Sequence, residues 1–184
     1  MRSRRAQLGP AAQTGGYAML SVLAGVEQTA LSVWMRESPS LFAFPFILYL
    51  HTLGLAMLAG INVGLDLWLL GRRTVPSVRL TNIYRIMWLG FGINLLSGLV
   101  LLAAYPAKAL TNWVFFAKMA LVVLGVWVLE RLKGELVVAD GASRDVSARG
   151  RNLALLSLFV WAGTILAGRY LAYTHSILLA SEAF

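Results

Sequence analysis

The chain has 184 residues, no cysteine, a formal charge of +8, and 59% hydrophobic against 13% charged residues. Soluble domains spread roughly a quarter charged residues through their sequence, whereas the hydrophobic residues here fall in long blocks, so a soluble domain is excluded. The lack of cysteine rules out disulfides, thiolate-bound clusters, covalently attached c-type haem and a cysteine nucleophile. The basic residues flank the apolar blocks as membrane topology signals do, so the charge does not point to nucleic acid.

Residues 1–16 are small, polar and basic and are predicted to be a disordered tail. Residues 17–40 read as an amphipathic helix lying at the membrane interface, with Leu20, Leu23, Leu31 and Trp34 on one side and Glu27 interrupting it. Pro39 closes that segment. A crossing helix needs about 20 mostly apolar residues, and four windows supply them, at about 44–70, 86–105, 111–130 and 153–174. The expected fold is therefore all-α, a four-helix transmembrane bundle over 41–184 preceded by a short amphipathic helix.

The first span opens at Pro45, which suits a first helical turn, and passes His51, Gly54, Gly60, Gly64 and Asp66 before Gly71-Arg72-Arg73. The second lies between Arg85 and Tyr105-Pro106, and the third carries Trp113, Lys118 and Trp127. Residues 130–152 read as the one large hydrophilic loop, and the fourth span holds Trp161, Arg169, Tyr170 and Tyr173, with His175 just beyond it. Arg72, Arg73, Arg79 and Arg85 lie in one connection and Arg131, Lys133, Arg144, Arg149 and Arg151 in another. The positive-inside rule puts both connections in the cytoplasm and both termini outside, although Arg2, Arg4 and Arg5 pull the other way.

Ionisable residues within spans are costly and are the first candidates for function. At about 1.5 Å per residue, His51 sits about 9 Å below the outer end of its helix, with Lys118 and Arg169 at similar depth. Two cations at one level with no carboxylate beside them call for an anion. Haem propionates would supply two, and a neutral histidine at that depth is able to ligate iron. Gly60 and Gly64 offer a flat face to a porphyrin or a neighbouring helix. Bland alternatives stand beside these: Lys118 and Arg169 snorkelling to lipid phosphates, His51 bonded to a neighbouring helix, and His175 as an interfacial residue rather than a ligand. Asp66, about 22 Å from His51 along the helix, is expected to pair with Arg72, Arg73 or Arg85 and to stabilise the cytoplasmic end. The tryptophans read as packing or interface anchors.

The stretches LHTLGLAMLAGINVGLDLWLLG, FFAKMALVVLG and AGRYLAY resemble a family of small bacterial four-helix membrane proteins. More distantly the chain is similar to four-helix protoporphyrinogen oxidases and to copper-resistance D-type membrane proteins. In the oxidases a first-span histidine and a third-span lysine are associated with haem b, and His51 and Lys118 match them by position. The first span here ends in LDLWLLGRR, without the basic aromatic run of those oxidases. The first resemblance implies a fold rather than a reaction; joined to the charge pattern, the expectation is a multi-pass protein of the bacterial inner membrane, with periplasmic termini, that binds haem b and passes electrons. His51 and Lys118 would then be the metal ligands, with Arg169 and His175 as further haem-binding residues; Lys118 is either the second ligand or a propionate partner. Quinone or a redox protein is the expected partner, beside the bilayer, in a homo-oligomer or as a subunit of a larger complex. The alternatives are a haem-dependent porphyrinogen oxidase and a cofactor-free anchor or assembly subunit. Copper transport has thinner support, since one histidine and scattered methionines such as Met57 and Met119 make a poor soft-ligand site.

Overall fold

The computed structural model describes residues 10–75, 81–136, 144–174 and 179–180. His175 lies outside the described residues. Four helices are long and apolar enough to cross a membrane, Phe44–Leu70, Asn82–Ala104, Trp113–Leu136 and Ala148–Tyr173. The chain is an all-α, multi-pass membrane protein.

In chain order the helices are α1 (Pro10–Glu27), α2 (Ala30–Glu37), α3 (Phe44–Leu55), α4 (Ile61–Leu70), α5 (Thr81–Ala104), α6 (Pro106–Leu110), α7 (Trp113–Leu136) and α8 (Ala148–Tyr173). Helix α1 begins at Pro10, inside the segment expected to be unstructured, because proline at the first helical position gives up no needed N–H. The expected single amphipathic helix is two. Thr29 breaks it by capping α2, its hydroxyl accepting from Ser32 N at 3.4 Å. Helix α2 turns Ser32 and Met35 inward and leaves Leu31 and Trp34 exposed.

A single π turn, Ala56–Gly60, joins α3 to α4 within the first span. The extra residue of a π turn rotates the following helix by about 100° relative to the one before it. One span can therefore serve two neighbours. Helix α3 packs along α5, and α4 packs on α8. Helices α7 and α8 form the other tight pair, while α3 has little contact with α7 or α8.

The α3–α5 crossing depends on Gly54 and Gly90. A Cβ on Gly54 would sit 2.6 Å from Asn94 N and 2.7 Å from Gly90 O, and one on Gly90 would sit 2.6 Å from Met57 Cβ. The pair expected from sequence, Gly60 and Gly64, has nothing within 4 Å of either added Cβ. Gly60→Ala and Gly64→Ala should therefore leave the thermal midpoint unchanged or raise it, since alanine is favoured over glycine within a helix by about 0.8–1 kcal/mol. A clear drop in midpoint for either variant would reveal a helix seated on that face.

Caps, rather than the apolar runs, set the helix ends. Ser147 Oγ accepts from Gly150 N at 2.9 Å and starts α8 at Ala148, five residues before the apolar window. Helix α7 continues past the window to Leu136 because Val128, Leu129, Leu132 and Leu136 keep a buried stripe going. Much of the expected hydrophilic loop is thus helical. At this arginine-rich end, Thr74–Val75 pairs antiparallel with Arg144–Asp145, and the guanidinium groups of Arg72 and Arg131 lie over the rings of Trp68 and Trp127 at 4.7 and 5.2 Å.

At the opposite end, polar side chains serve the orphan carbonyls that every helix C-terminus leaves. Ser32 Oγ donates to Ala103 O at 2.7 Å and Arg36 Nη1 to Ala104 O at 2.9 Å, closing α5. Lys108 Nζ donates to Ala172 O at 3.0 Å and Asn112 Nδ2 to Thr174 O at 2.8 Å, closing α8. Cations suit these negative helix ends. Glu27, also at this end, accepts from Ala180 N at 2.9 and 3.1 Å.

Candidate functional site

His51 lies on the α5 side of α3, and α5 brackets it. Its Nδ1 is 3.0 Å from Asn94 O and 3.2 Å from Ser97 Oγ. The Asn94 side chain returns a bond, Nδ2 to His51 O at 2.7 Å. Gly98 makes room for the ring, since a Cβ there would stand 3.1 Å from His51 Cε1. The tautomer follows from the partners. A backbone carbonyl only accepts, and Ser97 directs its hydroxyl to Ile93 O at 2.6 Å, which spends its one proton. Both groups facing Nδ1 are thus acceptors, so Nδ1 carries the proton and Nε2 keeps its lone pair.

Lys118 occupies the bundle-facing side of α7, half-buried, with Cε and Nζ 3.7 and 3.8 Å from where a Gly168 Cβ would be. Its charge reaches the His51 ring electrostatically, and no carboxylate pairs with it among the described residues. These two sequence-predicted residues do share one region. Arg169 does not join them. One step round α8 from Gly168, about 100°, Arg169 is exposed and lines an open groove of about 500 Å³ with Trp113, Leu166, Tyr170 and Tyr173. Adjacent helix positions face different ways, which the depth estimate alone did not resolve.

Asp66 departs further from expectation. It is 0% exposed and sits among polar neighbours rather than arginines. Asn62, one turn earlier, donates through Nδ2 to Asp66 Oδ2 at 3.0 Å and to Ser157 Oγ of α8 at 2.6 Å. Arg72 instead covers Trp68, and Arg85 is exposed. Tyr84 of α5 and Trp161 of α8 are buried in the surrounding core. Four buried atoms here have no hydrogen-bond partner: Asn62 Oδ1, Asp66 Oδ1, Tyr84 OH and Trp161 Nε1. Trp161 is thus a core residue whose ring fills the space left by Gly125, not an interface anchor.

No family model, no curated protein and no solved structure matches the chain. The site is read from its own chemistry. Among the described residues no group of three or more His, Asp or Glu is placed to cage a metal ion. A metal at His51 would therefore need most of its ligands from elsewhere, as a porphyrin provides.

Asn94, Ser97 and Gly98 escaped sequence reading because small and amide residues are common in membrane helices. Asn62 was detectable in principle, since Asn62 and Asp66 stand four apart on one helical face.

Proposed function

We propose that the protein is a membrane-embedded b-type haem protein that passes electrons, with His51 as an axial ligand. The carrying observation is the anchored Nδ1–H of His51, which leaves Nε2 as the lone-pair nitrogen. Metal-bound histidines characteristically donate their other ring N–H to a carbonyl or carboxylate, fixing tautomer and ring orientation. The residues present fit haem in that respect, and a bound haem would supply a one-electron iron couple. In this reading Lys118 acts as second ligand or as propionate partner. Arg169 lies outside this arrangement, so the propionate charge rests on Lys118. The small contact between α3 and the α7–α8 pair leaves this half of the bundle less tightly closed than the half where α4 meets α8.

The test is the absorption spectrum of protein purified after expression with ample haem. A Soret band supports the proposal; intact, colourless protein overturns it. Activity toward a porphyrinogen would move the assignment to the oxidase alternative.

We also propose that the arginine-rich end is cytoplasmic, because Arg36 and Lys108 at the other end act as helix caps while the cationic connections lie here. A reporter active only in the cytoplasm should be silent when fused after Phe184 and active when inserted between spans three and four. The reverse pattern would invert the topology.

A further inference from the structure

We propose that Asp66, Asn62 and Ser157 form a membrane-embedded proton-binding site. Asp66 is 0% exposed, lies within a transmembrane span, and has no Lys or Arg within ion-pair distance among the described residues. An ionised carboxylate in such surroundings is strongly unfavourable unless a positive charge joins it.

The neighbours choose between a proton and a metal cation. Asn62 aims its amide hydrogens at Asp66 Oδ2 and Ser157 Oγ, and Trp161 Nε1 is a second, partnerless donor in the same core. These positive edges of dipoles would oppose a cation, and two of the oxygens a cation would need are already accepting from Asn62. A proton needs only one oxygen. Asp66 Oδ1 has no partner, and Asn62 Oδ1 is a partnerless acceptor in the same cluster.

Tyr84 of α5 belongs to the same core. Its hydroxyl is buried and partnerless, and the carboxyl groups of both Asp66 and Glu130 act on it electrostatically. Glu130 is exposed on α7, and Lys133 holds its Nζ over the Tyr84 ring at 5.4 Å. The groups facing the cluster are therefore Tyr84 from α5, Ser157 and Trp161 from α8, and, beyond Tyr84, Glu130 and Lys133 from α7. Loading takes one proton from water and turns the Asp66 carboxylate into a neutral acid. No electron moves. The site is about 22 Å along the span from His51, so it stands or falls separately from the haem proposal.

Infrared spectroscopy of the full-length protein in lipid tests it. The wild-type spectrum at neutral pH should contain a protonated-carboxyl C=O band that shifts in heavy water and is missing from Asp66→Asn. In Tyr84→Phe, which leaves Asp66, Asn62 and Ser157 in place, the band should persist. Carboxylate stretches in place of the C=O band would overturn the site. Should Asp66→Asn fail to fold, wild-type protein still decides the matter. A hydrophobic carbodiimide adds to a protonated carboxyl, forming a carbon–oxygen bond while the acid proton passes to nitrogen. Mass spectrometry should find the adduct on Asp66 at neutral pH and lose it at alkaline pH; an unlabelled Asp66 at neutral pH counts against the site.

Discussion

His51→Ala is expected to strip the purified protein of its Soret absorbance while leaving it folded and in the membrane. The substitution removes the Nε2 lone pair, and no other histidine among the described residues can replace it. A graded series makes the result specific to ligation. Ser97→Val deletes one of the two acceptors at Nδ1 and leaves Asn94 O in place, so haem affinity should fall by about tenfold, the lower part of the range for partners that orient a metal ligand. Lys118→Ala should change the spectrum if its amine is a ligand, and weaken retention without a spectral change if it pairs with a propionate. Arg169→Ala should do neither, because its side chain lies in the groove with Trp113 and Tyr170. Full haem retention in His51→Ala would end the assignment of His51 as ligand.

Gly54→Ala should be the most damaging small substitution in the bundle. The new methyl would meet Asn94 N at 2.6 Å and Gly90 O at 2.7 Å. Both are backbone atoms, which cannot swing aside as a side chain can, so the helices must separate. Overpacking of this kind costs about 1–3 kcal/mol. Separation would also carry Asn94 O away from His51 Nδ1, so the same variant should lose haem affinity together with stability. Thermal unfolding and haem titration on one preparation check both effects. A midpoint equal to wild type would show that α3 and α5 do not pack as described. Gly90→Ala, which meets Met57 Cβ at 2.6 Å, is expected to follow the same pattern.

Both expectations depend on features that were unevenly legible in the sequence. The four spans were legible because bilayer thickness sets a minimum apolar length, and the chain meets it four times. Their ends were not, because hydropathy records where lipid begins while Ser147, Thr29 and the stripe through Leu129 and Leu136 decide where hydrogen bonding stops. His51 and Lys118 stood out as polar residues in apolar surroundings, and depth along a helix follows from rise per residue. Azimuth does not follow, since every side of a transmembrane helix is apolar and periodicity no longer marks the buried face. Depth alone therefore groups Arg169 with Lys118, although Arg169 is exposed at the groove.

The same blindness exchanged the glycines. Gly60 and Gly64 carry the familiar spacing and face nothing within the chain, whereas Gly54 and Gly90 sit on different spans and meet only when α3 crosses α5. Sequence proximity pairs Asp66 with arginines, but the π turn at Ala56–Gly60 rotates α4, and Asp66 enters the core beside Asn62 and Ser157. Chain composition by itself therefore determined the membrane character of the chain and the number of helices long enough to cross, because both depend on length and transfer free energy alone. Only the tertiary structure decided which of the polar residues face one another, because that depends on helix rotation and close backbone approach, which contacts between distant parts of the chain impose.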